Sequence, residues 1–337
     1  MQHRTLTPNV WALVLAGGDG TRLASVTRDD RGLCIPKQFC SLTGGPTLLD
    51  DALRRAACIA PRGRTCIVVG RRHQRYWEGV SQKIGTHNVI KEPRNCGTGI
   101  GILFALLHVL RRDPLARIVF LPSDHYVRNE AVLRASLREA VSAVACSDSG
   151  LVLIGIEPEG VDSDLGYIVP GKRRQAGTCA VDRFVEKPDM LQARELLSSG
   201  AVWNSFIFAA TGTTLLGLLR ARLSEIVPDM WNALGGGGRA SDDGRALQAL
   251  YETLPTVDFS RDILQGNEGI LRLLTAPVCG WNDLGTPSRL ARVVATLGEA
   301  REYHSARTSV RVTSVLNLAA RCKRLSMGSE LTAAYAA

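Results

Sequence analysis

VWALVLAGGDGTR, the stretch from Val10 to Arg22, joins a run of seven apolar residues to a turn with three glycines. A strand without polar alternation is buried on both faces, and such strands belong to parallel sheets that helices cover on both sides. The glycines allow positive φ and close approach of the backbone to a neighbour. The stretch therefore predicts a buried strand of a parallel α/β sheet, with a loop at its carboxyl end.

Further apolar runs alternate with helical patterns along the first half of the chain. The predicted strands are Val10–Ala16, Thr65–Gly70, Asn88–Pro93, Ala116–His125 and Leu151–Ile156. The predicted helices are Thr47–Ile59, Thr98–Arg112 and Val132–Ala145. This order predicts an α/β fold with a doubly wound, mostly parallel Rossmann-like sheet, in which ligands bind at the carboxyl ends of the strands.

The pattern changes after about Gly160, where GYIVPG, AVDRFVEKPD and AVWNSFIFAA are short strands interrupted by Gly and Pro. These segments predict a smaller antiparallel addition over the open edge of the sheet, followed by a helix from Thr213. The stretch Gly235–Gly244 predicts a flexible surface loop. We expect a domain over residues 8–300, with a first half at 8–160 and a second half at 161–300. Residues 301–337 are expected to be a basic tail, helical or disordered.

Composition limits the classes of function. The net charge of +9 would suit an anionic partner, but no basic stripe with interleaved aromatics occurs, so nucleic acid is not an expected partner. The nine cysteines form no C-x-x-C pair, which argues against a zinc site or a disulfide framework. No apolar run is long enough for a signal peptide or a membrane span. A cytoplasmic protein without a membrane partner is the expectation.

The glycine loop fits neither of two familiar phosphate-binding motifs. In a dinucleotide-binding fingerprint the third glycine would stand where this chain has Leu23, and no P-loop motif is present. Two cations follow the glycines, namely Arg22 and, after a proline, Lys37. Cations beside exposed backbone N–H groups suit a polyphosphate, because they neutralise charge on phosphoryl oxygens.

Several short motifs together resemble the sugar-nucleotide pyrophosphorylases, the NTP-transferase family, from about Val10 to about Leu297. The Pro-Lys-Gln-Phe form is most similar to the mannose-1-phosphate guanylyltransferases of that family. The motifs that carry the resemblance are LAGGDGTRL, PKQF, EPRNCGTG, LPSDH, GYIVPG, FVEKPD, WNSFIF and GWNDLGT. In WNSFIF, Phe206 stands where the family commonly has glycine.

The resemblance implies that residues 8–160 are a nucleotide-binding half and residues 161–300 a sugar-binding half. It also implies a role for each matching residue. Arg22 and Lys37 would be catalytic, and Asp124 and Asp283 would hold Mg²⁺ as the cofactor. The sugar 1-phosphate would be bound by Gly166, Glu186, Lys187 and Asn204. The nucleotide would be bound by Leu15, Ala16, Gly17, Gly18, Gly20, Thr21, Glu92, Asn95 and Thr98.

Some of these roles also have a reason in the residues themselves. Asp124 ends a predicted buried strand, where a hard carboxylate suits Mg²⁺, although strand-end aspartates often cap a turn instead. Glu186 and Lys187 would point to opposite faces of an extended strand, so both reach one substrate only if the strand ends there, as Pro188 suggests. The carboxylate of Glu92 can accept both N–H donors of a guanine edge.

The expected reaction transfers a nucleotidyl group from an NTP, with GTP as the best guess, to a sugar 1-phosphate, with mannose 1-phosphate as the best guess. The products would be GDP-mannose and pyrophosphate. Another NTP and sugar pair, a non-catalytic nucleotide-sugar sensor and a glycosyltransferase stay open as alternatives. A homodimer is compatible with the sequence, which does not decide the oligomeric state.

Overall fold

The computed structural model describes residues 9–29, 32–145, 150–235 and 244–304. The strands are β1 (Val10–Ala16), β2 (Thr65–Gly70), β3 (Val89–Glu92), β4 (Arg117–Pro122), β5 (Tyr126–Val127), β6 (Leu151–Ile156), β7 (Tyr167–Arg173), β8 (Cys179–Val185), β9 (Val202–Thr211), β10 (Leu271–Ala276) and β11 (Trp281–Asn282). The helices are α1 (Leu48–Ala56), α2 (Gln74–Ile84), α3 (Gly97–Leu110), α4 (Glu130–Val144), α5 (Met190–Ser198), α6 (Gly212–Arg222), α7 (Ile226–Ala233), α8 (Arg245–Thr253) and α9 (Pro287–His304).

The chain divides into two compact units, each built from three segments. The first unit comprises Met1–Gly18, Leu53–Pro122 and Val127–Trp281, and the second comprises Asp19–Ala52, Ser123–Tyr126 and Asn282–Ala337. These units interleave along the sequence, whereas the expected halves at 8–160 and 161–300 are consecutive. The expected halves therefore stay a prediction about binding roles rather than a description of compact units.

The first unit contains a nine-stranded sheet with the order β3-β2-β1-β4-β9-β6-β10-β8-β7. Strand β1 pairs in parallel with β2 and β4, and β10 pairs in parallel with β6. Seven of the nine strands run in one direction, and β8 and β9 run in the other. The expected α/β fold with a mostly parallel, doubly wound sheet is confirmed.

The position of β9 differs from the expectation of an antiparallel addition at the edge. Strands β7 and β8 do lie at the edge, but β9 is inserted between β4 and β6 and pairs antiparallel with both. Its ten residues are almost continuously buried, as an interior strand requires. A local sequence pattern defines a strand but not its partners, so the insertion could not be read from the segment itself.

Helices cover both faces of this sheet. On one face, α3 is apolar nearly all round and packs with α6, α7 and α8 over Trp11, Leu13, Phe120 and Phe208. On the other face, α4 contacts β4, β6, β9 and β10. The sheet is therefore a buried layer, and its seven strands of common direction end at the same edge.

The second unit has its own small core. Leu23, Val26 and Leu48 pack there with Leu284 and with residues of α9. Polar segments that follow β1 and β4 belong to this unit, as does the turn before α9. The unit thus holds the whole of PKQF and parts of LAGGDGTRL, LPSDH and GWNDLGT.

Two expectations fall partly or wholly outside the described residues. The loop expected at Gly235–Gly244 is described only at its two end residues, and the tail expected at 301–337 is described only to His304, where α9 ends. Within the described ranges, none of the helices combines the length and apolar character needed to cross a bilayer.

Candidate active site

Lys37 is the centre of a charged cluster in the second unit. It begins a 3-10 helix after Pro36, and its side chain is only 11% exposed. Its Nζ lies 3.1 Å from Oδ2 of Asp124 and donates to the backbone carbonyls of Asp283 at 2.5 Å and Leu284 at 3.3 Å. One ammonium group therefore brings together the segments that carry both aspartates expected to bind metal.

Asp124 follows β4, as expected for a ligand at the carboxyl end of a parallel strand. Burial by itself would raise the pKa of Asp124, but the ammonium of Lys37, helped by His125, holds that pKa below its usual value. His125 Nε2 lies 3.6 Å from Oδ1 of the same carboxylate. Asp124 is therefore ionised at neutral pH, which is the state that a divalent cation needs.

Asp283 lies in a tight turn between β11 and α9. Arg289, which is 6% exposed, donates from Nη1 to Asp283 Oδ1 at 2.6 Å, and the Gly285 N–H donates to the same oxygen at 3.1 Å. Leu284 is fully buried at a φ of +51°, a conformation that is strained for a residue with a side chain. The turn is therefore held by burial and by charged hydrogen bonds together.

The loop after β1 contacts Lys37 through its backbone. Gly20 has a φ of +66°, and a Cβ there would lie 2.9 Å from the backbone N of Lys37 and 3.1 Å from Cα of Pro36. Glycine is required at this position on both counts. Thr21 and Arg22 follow in an exposed 3-10 helix of the second unit. The Arg22 guanidinium is thus accessible to an anionic ligand.

The expected nucleotide residues of the first unit lie at the ends of β1 and β3. Leu15 and Ala16 close β1, Gly17 and Gly18 follow, and Glu92 is the last residue of β3. A Cβ at Gly17 would lie 3.2 Å from Oε2 of Glu92, so the glycine loop passes close to this carboxylate.

Glu92 is more enclosed than a simple base-reading residue would be. It is 4% exposed, and the Tyr251 hydroxyl donates to its Oε1 at 3.3 Å. A Cβ at Gly101 of α3 would lie 3.5 Å from both carboxylate oxygens. Burial raises the pKa of Glu92 to about 7, although the hydrogen bond from Tyr251 lowers it in part.

Asn95 and Thr98 are engaged in local structure. Asn95 Oδ1 accepts the Gly97 N–H at 2.9 Å, and Thr98 Oγ1 accepts the Phe259 N–H at 2.9 Å. These bonds shape the start of α3. The side-chain oxygens of both residues therefore already have a protein donor, and their predicted role in nucleotide binding stays a prediction.

The expected sugar residues form one group in the first unit. The Asn204 N–H donates to the Gly166 carbonyl at 2.8 Å, and a Cβ at Gly166 would lie 2.5 Å from Glu186 Oε2. Ser260 hydrogen-bonds Glu186 and accepts from Asn204 Nδ2 at 3.4 Å. Burial raises the pKa of Glu186, and the nearby Lys187 opposes that rise.

Glu186 and Lys187 lie beyond the end of their strand, as Pro188 suggested. Strand β8 ends at Val185, and Lys187 has a φ of +48°. This backbone turn lets the Lys187 ammonium approach Glu186 Oε1 at 3.5 Å instead of pointing to the opposite face. Both side chains can therefore contact one ligand.

Unusual backbone conformations occur in three of the motifs. Five described residues other than glycine have positive φ, and three of them are Lys187, Phe206 and Leu284. Phe206 has a φ of +59°, and this value gives a physical reason for glycine at the same position in the family. Strain of this kind persists where the surrounding structure fixes it, and it concentrates at functional sites.

The residues present fit a magnesium ion only if a substrate completes its coordination. No group of three or more His, Cys, Asp or Glu side chains able to hold a metal occurs in the part of the chain that the structure describes. Mg²⁺ commonly takes one or two protein carboxylates together with phosphate oxygens and water. Asp124 and Asp283 supply such a pair of carboxylates: that of Asp124 lies 3.1 Å from Lys37 Nζ, and Asp283 belongs to the turn whose backbone carbonyl Lys37 binds.

Sequence reasoning missed Ser260, Tyr251 and Arg289, which contact the expected site residues. Each acts through a tertiary contact with a distant or turned segment, and none belongs to a recognisable motif. The only local signal was the position of Arg289 six residues after Asp283, at the start of a helix.

Comparison with known proteins identifies the family of the chain. Residues 11–299 match the nucleotidyl transferase family, to which the chain belongs. The xanthan biosynthesis protein XanB of Xanthomonas campestris pv. campestris is 32% identical over 303 residues, which cover 88% of this chain and 62% of XanB. A mannose-1-phosphate guanylyltransferase of Sinorhizobium fredii is 27% identical over 297 residues, 85% of this chain and 55% of that protein.

A solved structure shows the same fold. The crystal structure described as mannose-1-phosphate geranyltransferase from Thermus thermophilus superposes with a TM-score of 0.71 and 28% identity, covering 85% of this chain and 79% of that one. The chain spans 55–62% of the length of the two curated relatives. The fold and the family are therefore shared, over a part of those relatives' length.

Proposed function

We propose that the chain transfers a nucleotidyl group from an NTP to a sugar 1-phosphate, with GTP and mannose 1-phosphate as the substrates. The observation that carries the proposal is the contact of Lys37 with Asp124 and with the Asp283 turn. This contact joins a cation, the Asp124 carboxylate and the turn that carries Asp283. Transfer of a phosphoryl-type group requires positive charge and metal-binding carboxylates beside the phosphates. The names of the relatives support the choice of substrates.

In the proposed reaction, a phosphate oxygen of the sugar 1-phosphate forms a bond to the α-phosphorus of the NTP. The bond from that phosphorus to the bridging oxygen breaks, and its electron pair leaves with pyrophosphate. No covalent bond to the protein is needed. Positioning of the two phosphates and neutralisation of their charge supply the rate enhancement.

The chain's own residues would divide these tasks. Arg22, exposed after the glycine loop, would neutralise charge on the triphosphate. Lys37 would also contact the triphosphate, once its ammonium has exchanged a protein oxygen for a phosphate oxygen. Asp124 and Asp283 would hold Mg²⁺, which when bound supplies further positive charge beside the phosphates. Each of these groups belongs to the second unit.

In the first unit, Lys187 would bind the phosphate of the sugar. Glu186 would accept hydrogen bonds from the sugar hydroxyls, and Asn204 would donate hydrogen bonds to them. Ser260 would hold both side chains in place. Glu92 would accept the N–H donors of guanine. Adenine presents an acceptor at the corresponding atom, so a buried carboxylate facing it would be left unpaired.

The test is a screen of pyrophosphate release with four NTPs against a panel of sugar 1-phosphates, with and without Mg²⁺. We expect GTP to be preferred over ATP by at least about 10-fold, which corresponds to about 1.4 kcal/mol. Better use of another NTP and sugar pair would refute the guanylyltransferase assignment and keep the wider class. Nucleotide-sugar binding without release from any pair would favour a sensor.

A further inference from the structure

The carboxylate of Asp283 is held asymmetrically. Both protein donors that reach it, Arg289 Nη1 and the Gly285 N–H, bond to Oδ1. Among the described residues, none donates a hydrogen bond to Oδ2. The Asp283 side chain is 15% exposed, and its Oδ2 is left for water or for a ligand.

Gly285 keeps this oxygen uncovered. A Cβ at residue 285 would collide with Oδ2 of Asp283 and would lie 3.0 Å from Nη1 of Arg289. The φ of Gly285 lies outside the left-handed range, so its backbone suits any residue and the requirement for glycine is one of space. The ion pair of Asp283 and Arg289 therefore fills the place of a side chain at residue 285.

The backbone of the turn is fixed by other contacts. Lys37 binds the carbonyls of Asp283 and Leu284, and the Leu284 N–H donates to Asn282 Oδ1 at 2.8 Å. Leu284 itself is anchored in the core of the second unit. Rotation of the carboxylate about its own side-chain bonds is the freedom that remains. The Gly285 N–H and, at the shorter distance, Arg289 Nη1 restrict it through Oδ1.

We propose that Arg289 is a positioning residue, which orients Asp283 so that Oδ2 is presented to a divalent cation. This inference rests on the proposed function, because it assumes that Asp283 binds the metal. Arg289 brings a positive charge close to that ion, which by itself would weaken metal binding. Any gain in metal affinity from Arg289 must therefore come from its orientation of the Asp283 carboxylate. The charge of Arg289 lowers the metal affinity and the orientation raises it, so an experiment can separate the two effects.

The experiment measures Mn²⁺ binding by electron paramagnetic resonance on the full chain, together with kcat and KM. The variants are Arg289→Lys, which keeps the charge and loses the planar fork, and Arg289→Met, which loses both. Arg292→Met, an exposed arginine on the same helix, is the matched control. Gly285→Ala keeps the arginine and tests the same oxygen sterically, since the new Cβ would collide with Asp283 Oδ2 and would also press on Arg289 Nη1.

We expect both Arg289 variants and Gly285→Ala to weaken Mn²⁺ binding 10- to 100-fold, the range usual for groups that orient a metal ligand. The same variants should lower kcat and leave the KM for sugar 1-phosphate unchanged, and Arg292→Met should match the wild type. A charge effect alone predicts unchanged affinity for Arg289→Lys and tighter binding for Arg289→Met, and that result would overturn the inference.

The failure of the proposed function has a different signature. If the wild type releases no pyrophosphate but its Mn²⁺ binding depends on Arg289, the positioning role stands and the assigned reaction falls. If the wild type is active and the Arg289 and Gly285 variants bind Mn²⁺ normally while remaining folded by circular dichroism, the reaction stands and the positioning role is wrong. If the wild type binds no Mn²⁺, the inference is wrong.

Discussion

Lys37 and Asp124 form an ion pair of 3.1 Å, and the same ammonium donates to two carbonyls of the turn that holds Asp283. Three protein oxygens thus use the hydrogen-bonding capacity of one ammonium group. A ligand phosphate can bind Lys37 only by replacing at least one of them. Entry of a cation beside Asp124 would neutralise that carboxylate. Replacement of Asp124 by a phosphate at the Lys37 ammonium would then be less costly.

Lys37→Met is therefore expected to affect catalysis more than substrate binding. Loss of a fixed cation at the transferring group should lower kcat by about 100-fold or more, with a smaller rise in the KM for NTP. Steady-state pyrophosphate release measures both constants. Lys172→Met, an exposed lysine on β7, is the control and should match the wild type. A loss confined to KM would show that Lys37 binds only the ground state.

Asp124→Asn and Asp283→Asn are each expected to abolish nearly all turnover and leave the fold intact. Each amide keeps the shape of the side chain and removes the negative charge that a divalent cation needs. Pyrophosphate release at saturating Mg²⁺ checks the rate, and circular dichroism checks the fold. Glu195→Gln on α5 serves as a charge-matched control on an exposed surface. A variant with near-wild-type rates would remove its residue from the metal site.

The sequence predicted the features that depend on local rules. The strand Leu151–Ile156 has the expected boundaries, because a short apolar run between polar loops can be recognised from its own sequence. Pro188 correctly indicated the end of a strand before Glu186, because proline and its neighbour disfavour continued pairing. The strand-end position of Asp124 followed from the same kind of reasoning.

The features that the sequence did not predict depend on contacts between distant segments. The insertion of β9 between β4 and β6 is a choice of partners, which no single segment encodes. The contacts of Ser260 with Asn204 and of Tyr251 with Glu92 join residues 56 and 159 positions apart. Lys37 was expected to face a ligand, and its three protein acceptors emerge only when the two distant turns are folded together.

Gly166→Ala is expected to damage the sugar site through steric exclusion alone. The new Cβ would lie 2.5 Å from Glu186 Oε2 and 3.2 Å from Asn204 Cβ, and the φ at this residue lies outside the left-handed range. We expect the KM for sugar 1-phosphate to rise about 10-fold, or about 1.4 kcal/mol, with little change in the KM for NTP. Gly160→Ala, where a Cβ meets open space, is the matched control. Equal changes in both KM values would contradict a separate sugar site.

Lys187→Ala is expected to raise the KM for sugar 1-phosphate and leave the KM for NTP nearly unchanged. Its side chain is 41% exposed and its ammonium lies 3.5 Å from a carboxylate, so it is available to a phosphate without a large rearrangement. Truncation removes one charge-assisted contact with the sugar phosphate, so we expect this KM to rise about 10-fold. Substrate titrations at fixed excess of the other substrate measure each KM, and Lys172→Ala is the control. An effect on the NTP side would reassign Lys187 to the triphosphate.

Burial of the Glu92 carboxyl raises its pKa from 4.5 to about 7. In the unfolded chain this group loses its proton near pH 4.5, whereas in the folded protein it keeps the proton until about pH 7. Folding therefore binds a proton in this window, and the free energy of unfolding falls as pH rises through it. The contribution is fully present below pH 4.5 and is lost above about pH 7, up to about 3 kcal/mol in total. Glu92→Gln carries no such group, so the stability of the wild type relative to this variant should decline between about pH 5 and about pH 8. Urea unfolding of both proteins at several pH values measures the difference in the free energy of unfolding. For the control Glu195→Gln, the difference from the wild type should not change with pH. A flat difference for Glu92→Gln would mean that Glu92 is ionised at its ordinary pKa in the folded protein, and that a partner other than Tyr251 neutralises it.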